Sequence, residues 1–335
     1  MSRIAIAGAG AWGTAIAIVL ARRGGHSLHL WSHSALVAGA ILQDRENRVY
    51  LPGVPVPQEI HVTQDLGTAL DQAEIVLTVV PSEHLRATME AMAPFLAHGQ
   101  VIVNASKGLE TGTSLRMTQV IGEVLARRSL SLPCCVLSGP SFAQEVATGS
   151  PTAMTIAAPL PELADRVRKE LSGPTLRLYT NGDVVGVELG GALKNVIALA
   201  AGMVTGLGLG HNSIAALVTR GIVEMTRLAV SQGARKETLG GLSGLGDLVL
   251  TCTGPLSRNR HVGVELGRGR RLDEVLAGMQ GKVAEGVHTA KAALEMAERE
   301  GVELPITRQV ADLLEGRLTP LQAMRALMSR PGREE

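Results

Sequence analysis

Over the first half of the chain, short unbroken apolar runs alternate with longer stretches of mixed polarity. Residues 3–7, 27–31, 75–80, 101–103 and 134–137 read as strands, ended by turn formers such as Gly8, Pro81-Ser82 and Ser138-Gly139-Pro140. Runs that are apolar throughout, rather than at every second position, belong to strands covered on both faces. Strands alternating with helical stretches predict an α/β fold, a doubly wound, Rossmann-type parallel sheet. From about residue 184 the pattern becomes helical throughout, with helices near 184–209, 214–232, 285–300, 307–315 and 321–329. The expected organisation is a sheet domain over residues 1–183 and an all-helical domain over 184–330. No proline-rich linker marks the change, so a substantial interface between the two is expected.

One helix departs from its neighbours. Residues 184–203 are almost entirely apolar, yet Lys194 and Asn195 sit in the middle. Burying an ammonium without a partner disfavours its charged form. At helical spacing Lys194 shares a face with Gly190, Gly191 and Ala198. That face has almost no side-chain bulk, so another helix, a backbone or a ligand can approach Lys194 closely; with a dinucleotide site before the helix and an anion site after it, room for a substrate is expected there. Taken alone, the helix fits a snorkelling surface lysine equally well.

The first strand runs directly into Gly8-Ala9-Gly10-Ala11-Trp12-Gly13 and then a helical stretch to Arg23. A strand, this glycine spacing and a helix, in that order, are the fingerprint of a dinucleotide site. Gly8 permits the tight turn, Gly10 lets a pyrophosphate approach the backbone, and Gly13 allows close packing of helix on strand. The phosphates then rest on the helix N-terminus. The second strand ends in Ser32-His33, without the acid that restricts such sites to NAD. His33 could meet a 2′-phosphate, so NAD and NADP both stay open. Lys107, Gly139 and Ser141 follow later strands, at the ends where doubly wound sheets bind ligands.

In the helical half, the glycine-rich turn at 240–246 positions a single carboxylate, Asp247, with Thr251 one helical turn further on. Ser257 reads as an N-cap, with Arg258 and Asn259 in the first turn that follows. A cation there opposes the helix dipole unless an anion is bound, which makes this turn a candidate phosphate site. Lys282, Glu295 and the terminal Arg333-Glu334-Glu335 read as solvated.

Composition narrows the function classes. A net charge of +1, with two residues each of Trp, Tyr and Phe, argues against nucleic acid as a partner. Cys134, Cys135 and Cys252 make no even framework and share no metal-ligand spacing with histidines, so no metal is expected and a reducing cytoplasm fits. Residues 4–21 are uncharged but broken by glycines and followed by Arg22-Arg23 in place of a cleavage site. Residues 196–210 look too short to span a bilayer, so no membrane segment is expected.

A dinucleotide site, two lysines, a carboxylate and an anion site suit hydride transfer to a carbonyl. The developing alkoxide needs a proton donor, and a desolvated lysine suits that role. At this point the motifs resemble a known family. Gly8-Ala9-Gly10-Ala11-Trp12-Gly13-Thr14-Ala15, Ser106-Lys107-Gly108-Leu109, Ser138-Gly139-Pro140-Ser141-Phe142-Ala143, Leu189-Gly190-Gly191-Ala192-Leu193-Lys194-Asn195-Val196, Gly244-Leu245-Gly246-Asp247-Leu248, Ser257-Arg258-Asn259-Arg260 and Glu285-Gly286 occur in the order seen in bacterial-type NAD(P)-dependent glycerol-3-phosphate dehydrogenases.

The resemblance implies a sheet domain followed by an all-helical domain, as in 6-phosphogluconate dehydrogenases. It implies reversible reduction of dihydroxyacetone phosphate to sn-glycerol 3-phosphate for glycerophospholipid synthesis. Lys194 is then the catalytic acid/base, Lys107 touches cofactor and substrate, and Asn195 and Thr251 support the polar network. Gly139, Ser141, Asp247, Ser257, Arg258 and Asn259 fall to the substrate, with Arg258 also reaching the cofactor. Trp12, His33, Ala143, Val283 and Glu285 join the glycine loop as cofactor contacts. A small phosphorylated triose is the expected partner, and a homodimer the expected assembly. Two rivals stay open: a related 6-phosphogluconate or 3-hydroxyacid-type dehydrogenase, and a non-catalytic dinucleotide sensor.

Overall fold

A computed structural model describes residues 2–279 and 283–332; Lys282 and the last three residues, read above as solvated, lie outside the described residues. The chain divides into two compact units, Met1–Lys107 with Arg116–Val187, and Gly108–Leu115 with Glu188–Glu335.

Among its described residues the first unit holds ten strands: β1 (Ser2–Ala7), β2 (His26–Trp31), β3 (Glu46–Asn47), β4 (Leu51–Pro55), β5 (Ile60–Thr63), β6 (Ile75–Thr78), β7 (Val101–Asn104), β8 (Cys134–Ser138), β9 (Thr152–Ala157) and β10 (Leu176–Asn181). Eight of them form one sheet in the order β5-β2-β1-β6-β7-β8-β9-β10, and β3 pairs with β4 alone. The central strands are apolar and dry on both faces: Ile4, Ile6, Leu30, Ile75, Leu77 and Val103 are fully buried. The helix Ala11–Arg23 packs Ile16, Ile18 and Leu20 into the same core.

The sheet is mostly parallel, with one departure from the expected topology. β8 and β9 are antiparallel, and β10 follows β9, so two strands run against the rest. Between β8 and β9 the chain forms only the six-residue helix Ala143–Thr148. Such a helix spans about 9 Å, too little to carry the chain back along a strand of about 17 Å. The next strand therefore starts at the end where β8 stopped. The edge strand β10 shows no apolar run in the sequence because it alternates buried Leu176 and Leu178 with exposed Arg177 and Tyr179. That is the signature of a half-covered edge and not of a buried run.

The second unit is helical among its described residues. Its longest helix, Val184–Gly206, whose first four residues belong to the first unit, has 23 residues and is long and apolar enough by composition to cross a membrane, contrary to the shorter span expected. It is a core helix, with 89% of its most apolar window buried in the protein. Gly202 and Gly206 cross Gly263 and Gly267 of the helix Arg258–Gly267 at backbone contact. A Cβ at Gly202 would stand 2.8 Å from Gly263 Cα, and one at Gly267 would stand 2.9 Å from Gly206 Cα. Only residues without a side chain allow that approach.

Two carboxylates lock other parts of this unit. Glu295, read above as solvated, is half-buried and accepts from Ser114 Oγ at 2.8 Å, which ties down the segment Gly108–Leu115. Glu224, on the helix His211–Ser231, is 5% exposed. It accepts from the N–H groups of Ile306 (2.5 Å) and Thr307 (3.2 Å) at the start of the helix Pro305–Leu314. Burial pushes this carboxyl up to about 7, against the opposing pull of those hydrogen bonds and of Arg227.

Candidate active site

The glycine loop after β1 makes the tight turn and the close packing that its spacing predicts. Gly8 adopts φ +127° and donates to the Trp31 carbonyl at 3.1 Å, and a Cβ there would strike the Val79 carbonyl. Gly13 is pressed onto the Gly8 carbonyl, whereas a Cβ at Gly10 would meet nothing within 4 Å. The helix Ala11–Arg23 begins at this open point. No side chain caps its first turn and no acid lies in it. Trp12 Nε1 is buried with no hydrogen-bond partner among the described residues. An open backbone, uncapped N–H groups and the positive end of a helix dipole fit the pyrophosphate of a dinucleotide. His33 is exposed just beyond β2, edge-on to Trp31 with ring centroids 6.2 Å apart.

Further along the same unit, the structure brings Lys107, Gly139 and Ser141 together. Lys107 Nζ donates to the Gly139 carbonyl at 2.9 Å, and Ser141 Oγ donates to the same oxygen at 3.0 Å. The turn that carries Lys107 is pinned from beneath. Asn104 Oδ1 accepts from Thr78 Oγ1 (3.1 Å) and from Ser106 N (3.2 Å), while Ser106 Oγ donates to the Val80 carbonyl (2.6 Å). Ala143 opens the next helix and is half-buried.

In the second unit Lys194 is 7% exposed, not snorkelling. Its Nζ donates to Asp247 Oδ1 at 2.5 Å and to Thr251 Oγ1 at 2.9 Å. Thr251 Oγ1 lies in turn 2.6 Å from the Asp247 carbonyl. Glycines make this pairing possible. A Cβ at Gly190, one turn before Lys194, would lie 2.7 Å from the Ser243 carbonyl oxygen and 3.2 Å from Gly244 Cα. Gly244 is itself wedged against Leu239. The segment Leu242–Gly246 winds as a π-helical turn and delivers Asp247 to the first position of the helix Asp247–Thr253. There the helix dipole favours a carboxylate.

At Gly190 the small-residue face admits a backbone, one of the approaches expected above, and not a substrate. The backbone of Ser243 and Gly244 fills it. A buried ammonium needs its counter-ion within reach, and only glycines let the two backbones close that distance.

A second chain of hydrogen bonds starts one residue on. Asn195 Nδ2 faces the Gly191 carbonyl at 3.5 Å, Asn259 Nδ2 donates to Asn195 Oδ1 at 2.9 Å, and Gly286 N donates to Asn259 Oδ1 at 2.9 Å. A backbone N–H can only donate, so both amides have one orientation. Gly286 carries no predicted role, yet a Cβ there would lie 2.5 Å from the Asn195 carbonyl oxygen. Ser257 caps as expected, its Oγ accepting from Arg260 N at 3.2 Å, and Arg258 is exposed in the first turn. Glu285 opens the helix Glu285–Arg299 and Val283 precedes it, both half-buried. Asn47, unread in the sequence because nothing in the charged run around it marks it out, reaches the glycine loop at Ala9.

Comparison with known proteins extends these observations to the whole chain. Residues 3–164 match the family model of the NAD-dependent glycerol-3-phosphate dehydrogenase N-terminus, and residues 183–325 match that of its C-terminus. The chain is 62% identical to a glycerol-3-phosphate dehydrogenase [NAD(P)+] of Acidobacterium capsulatum, with both proteins covered in full. It is 56% identical to the protein of that name from Koribacter versatilis, covering 100% of this chain and 99% of the relative. The crystal structure of a glycerol-3-phosphate dehydrogenase from Coxiella burnetii superposes with a TM-score of 0.93 at 39% identity, over 98% of this chain and 99% of that one. The chain belongs to the NAD-dependent glycerol-3-phosphate dehydrogenase family.

Proposed function

We propose that the chain catalyses the reversible reduction of dihydroxyacetone phosphate to sn-glycerol 3-phosphate, with Lys194 as the acid/base. The observation that carries this reading is the buried lysine with two fixed acceptors, Asp247 and Thr251. Bound NAD(P)H supplies the hydride to the ketone carbon. The residues of the chain must then hold the ketone and deliver one proton to the oxygen that becomes the new hydroxyl.

Lys194 suits that delivery. Two acceptors, Asp247 and Thr251, fix how its ammonium rotates, so the directions of its protons are set by the fold. As the hydride arrives, charge grows on the ketone oxygen and Lys194 passes a proton to it. In the oxidative direction the neutral amine takes that proton back, and the Asp247 carboxylate stabilises the ammonium that results.

The Asn195–Asn259–Gly286 chain keeps the Lys194 helix in register with the Ser257–Asn259 turn. In that turn the Ser257 hydroxyl proton and the Arg258 guanidinium are donors for the substrate phosphate. Lys107, with Gly139 and Ser141, serves the cofactor and substrate. The glycine loop, Trp12, His33, Ala143, Val283 and Glu285 serve the cofactor. The enzyme then works in the cytoplasm, as a homodimer, with its product supplying the backbone of glycerophospholipids.

The test is an initial-rate assay with NADH and NADPH in parallel, run against a panel of carbonyl substrates. Oxidation of either cofactor on addition of dihydroxyacetone phosphate is expected. If another ketone, such as a 3-oxoacid, is reduced and dihydroxyacetone phosphate is not, the proposal fails.

A further inference from the structure

The glycine loop is held by a residue that none of its own spacing predicts. Asn47, in β3, is 0% exposed. Its Nδ2 donates to the Ala9 carbonyl at 2.9 Å and to Thr14 Oγ1 at 2.8 Å, and its Oδ1 accepts from the Tyr50 N–H at 3.1 Å. Because the Tyr50 N–H can only donate, the amide stands one way round, with both of its own N–H groups turned to the loop and its helix. β3 is not part of the main sheet. It is held in a separate hairpin with β4, closed by Glu46 Oε1, which accepts from Gly53 N at 2.8 Å.

The peptide joining Ala9 to Gly10 is trans, as are all described peptides. In a planar trans unit the carbonyl and the N–H point in opposite directions. Holding the Ala9 oxygen on Asn47 therefore aims the Gly10 N–H the other way, at the residue where the loop is open. Turning this peptide over would set a carbonyl dipole against a pyrophosphate and bring an N–H against the Asn47 amine. Both changes are unfavourable.

We propose that Asn47 is a positioning residue for the cofactor: its amide holds the Ala9–Gly10 peptide so that it offers an N–H, and not a carbonyl, to the pyrophosphate. This rests on the reading that the glycine loop takes the pyrophosphate.

The experiment compares Asn47→Ala and Asn47→Asp with the wild type. NADH, ADP-ribose and adenosine affinities are measured by fluorescence and calorimetric titration, and kcat at saturating cofactor. Asn47→Asp keeps the volume and the acceptor for Tyr50 but sets an acceptor opposite the Ala9 carbonyl, so it serves if the alanine variant does not fold. Loss of one buried, aligned donor is expected to weaken NADH and ADP-ribose about tenfold in Asn47→Ala, and more in Asn47→Asp. Adenosine, which has no phosphate, should bind as in the wild type, and kcat should stay within about twofold, since the step at Lys194 is untouched.

Unchanged ADP-ribose affinity, or adenosine affinity falling in parallel with it, overturns the proposal. A Gly10→Val control separates the two levels. If it binds NADH normally, the loop is not the pyrophosphate site and the underlying reading fails as well. If it loses NADH while the Asn47 variants keep it, the role of Asn47 alone fails.

Discussion

Replacing Lys194 with methionine removes a charge while keeping an unbranched side chain of similar length. It leaves Asp247, whose side chain is 1% exposed, as a buried carboxylate without its ammonium counter-ion. At the observed 2.5 Å separation, an effective dielectric of about 20 puts the attraction near 7 kcal/mol. Desolvation of both ions opposes much of that. The net cost of breaking such a pair by removing one partner is about 3–5 kcal/mol. Lys194→Met should therefore lower the urea midpoint markedly and cut turnover by about 10²–10⁴, the usual worth of a positioned general acid.

The double variant Lys194→Met with Asp247→Asn separates the two effects, because it removes the orphaned charge without restoring a proton donor. Most of the lost stability should return and the lost activity should not. Equilibrium unfolding in urea and initial rates of dihydroxyacetone phosphate reduction on the same preparations measure both. The reasoning is refuted if the single variant turns over within tenfold of wild type, or if activity returns together with stability in the double variant.

Three further predictions follow from other contacts. The Glu224 carboxyl is raised from 4.5 to about 7 in the folded protein. Its contribution to stability is therefore fully present below pH 4.5 and lost as pH rises to about 7, a swing of order 3 kcal/mol. Thermal unfolding across that window should show the slope, and Glu224→Gln should flatten it. His33→Asp sets a carboxylate where a 2′-phosphate would sit. Repulsion of about 1 kcal/mol should raise the NADPH KM roughly fivefold over that for NADH, and an unchanged ratio in parallel assays would count against His33 as a cofactor contact. Gly263→Ala drives a Cβ into the Leu199 carbonyl and to 2.9 Å from Gly202 Cα. The two helices must part, at a cost of about 1–3 kcal/mol or more by calorimetry; Gly269→Ala, with nothing within 4 Å but φ +89°, controls for backbone strain alone.

Much of this protein is legible in the order of its residues because the causes are local. A turn as tight as Gly8–Gly13 demands glycine at set positions whatever the rest of the chain does. Ser257 caps the helix that begins one residue later, and a helix as apolar as Val184–Gly206 has to be covered. What local pattern cannot contain is the identity of a partner far away in the chain. Lys194 on its own helix is equally a surface lysine. Its burial is decided by Asp247, 53 positions on, and by glycines that let two backbones close. Ser114 and Glu295 meet across 181 positions, which turned a residue read as solvated into a tie. The reversal of β9 came from a helix too short to recross the sheet, and the hold of Asn47 on Ala9 from a hairpin outside that sheet. The sequence by itself determined the turns, caps and apolar faces, where the free energy is spent within a few residues. Only the tertiary structure decided which buried polar groups satisfy one another, because each is affordable only once its partner is in place.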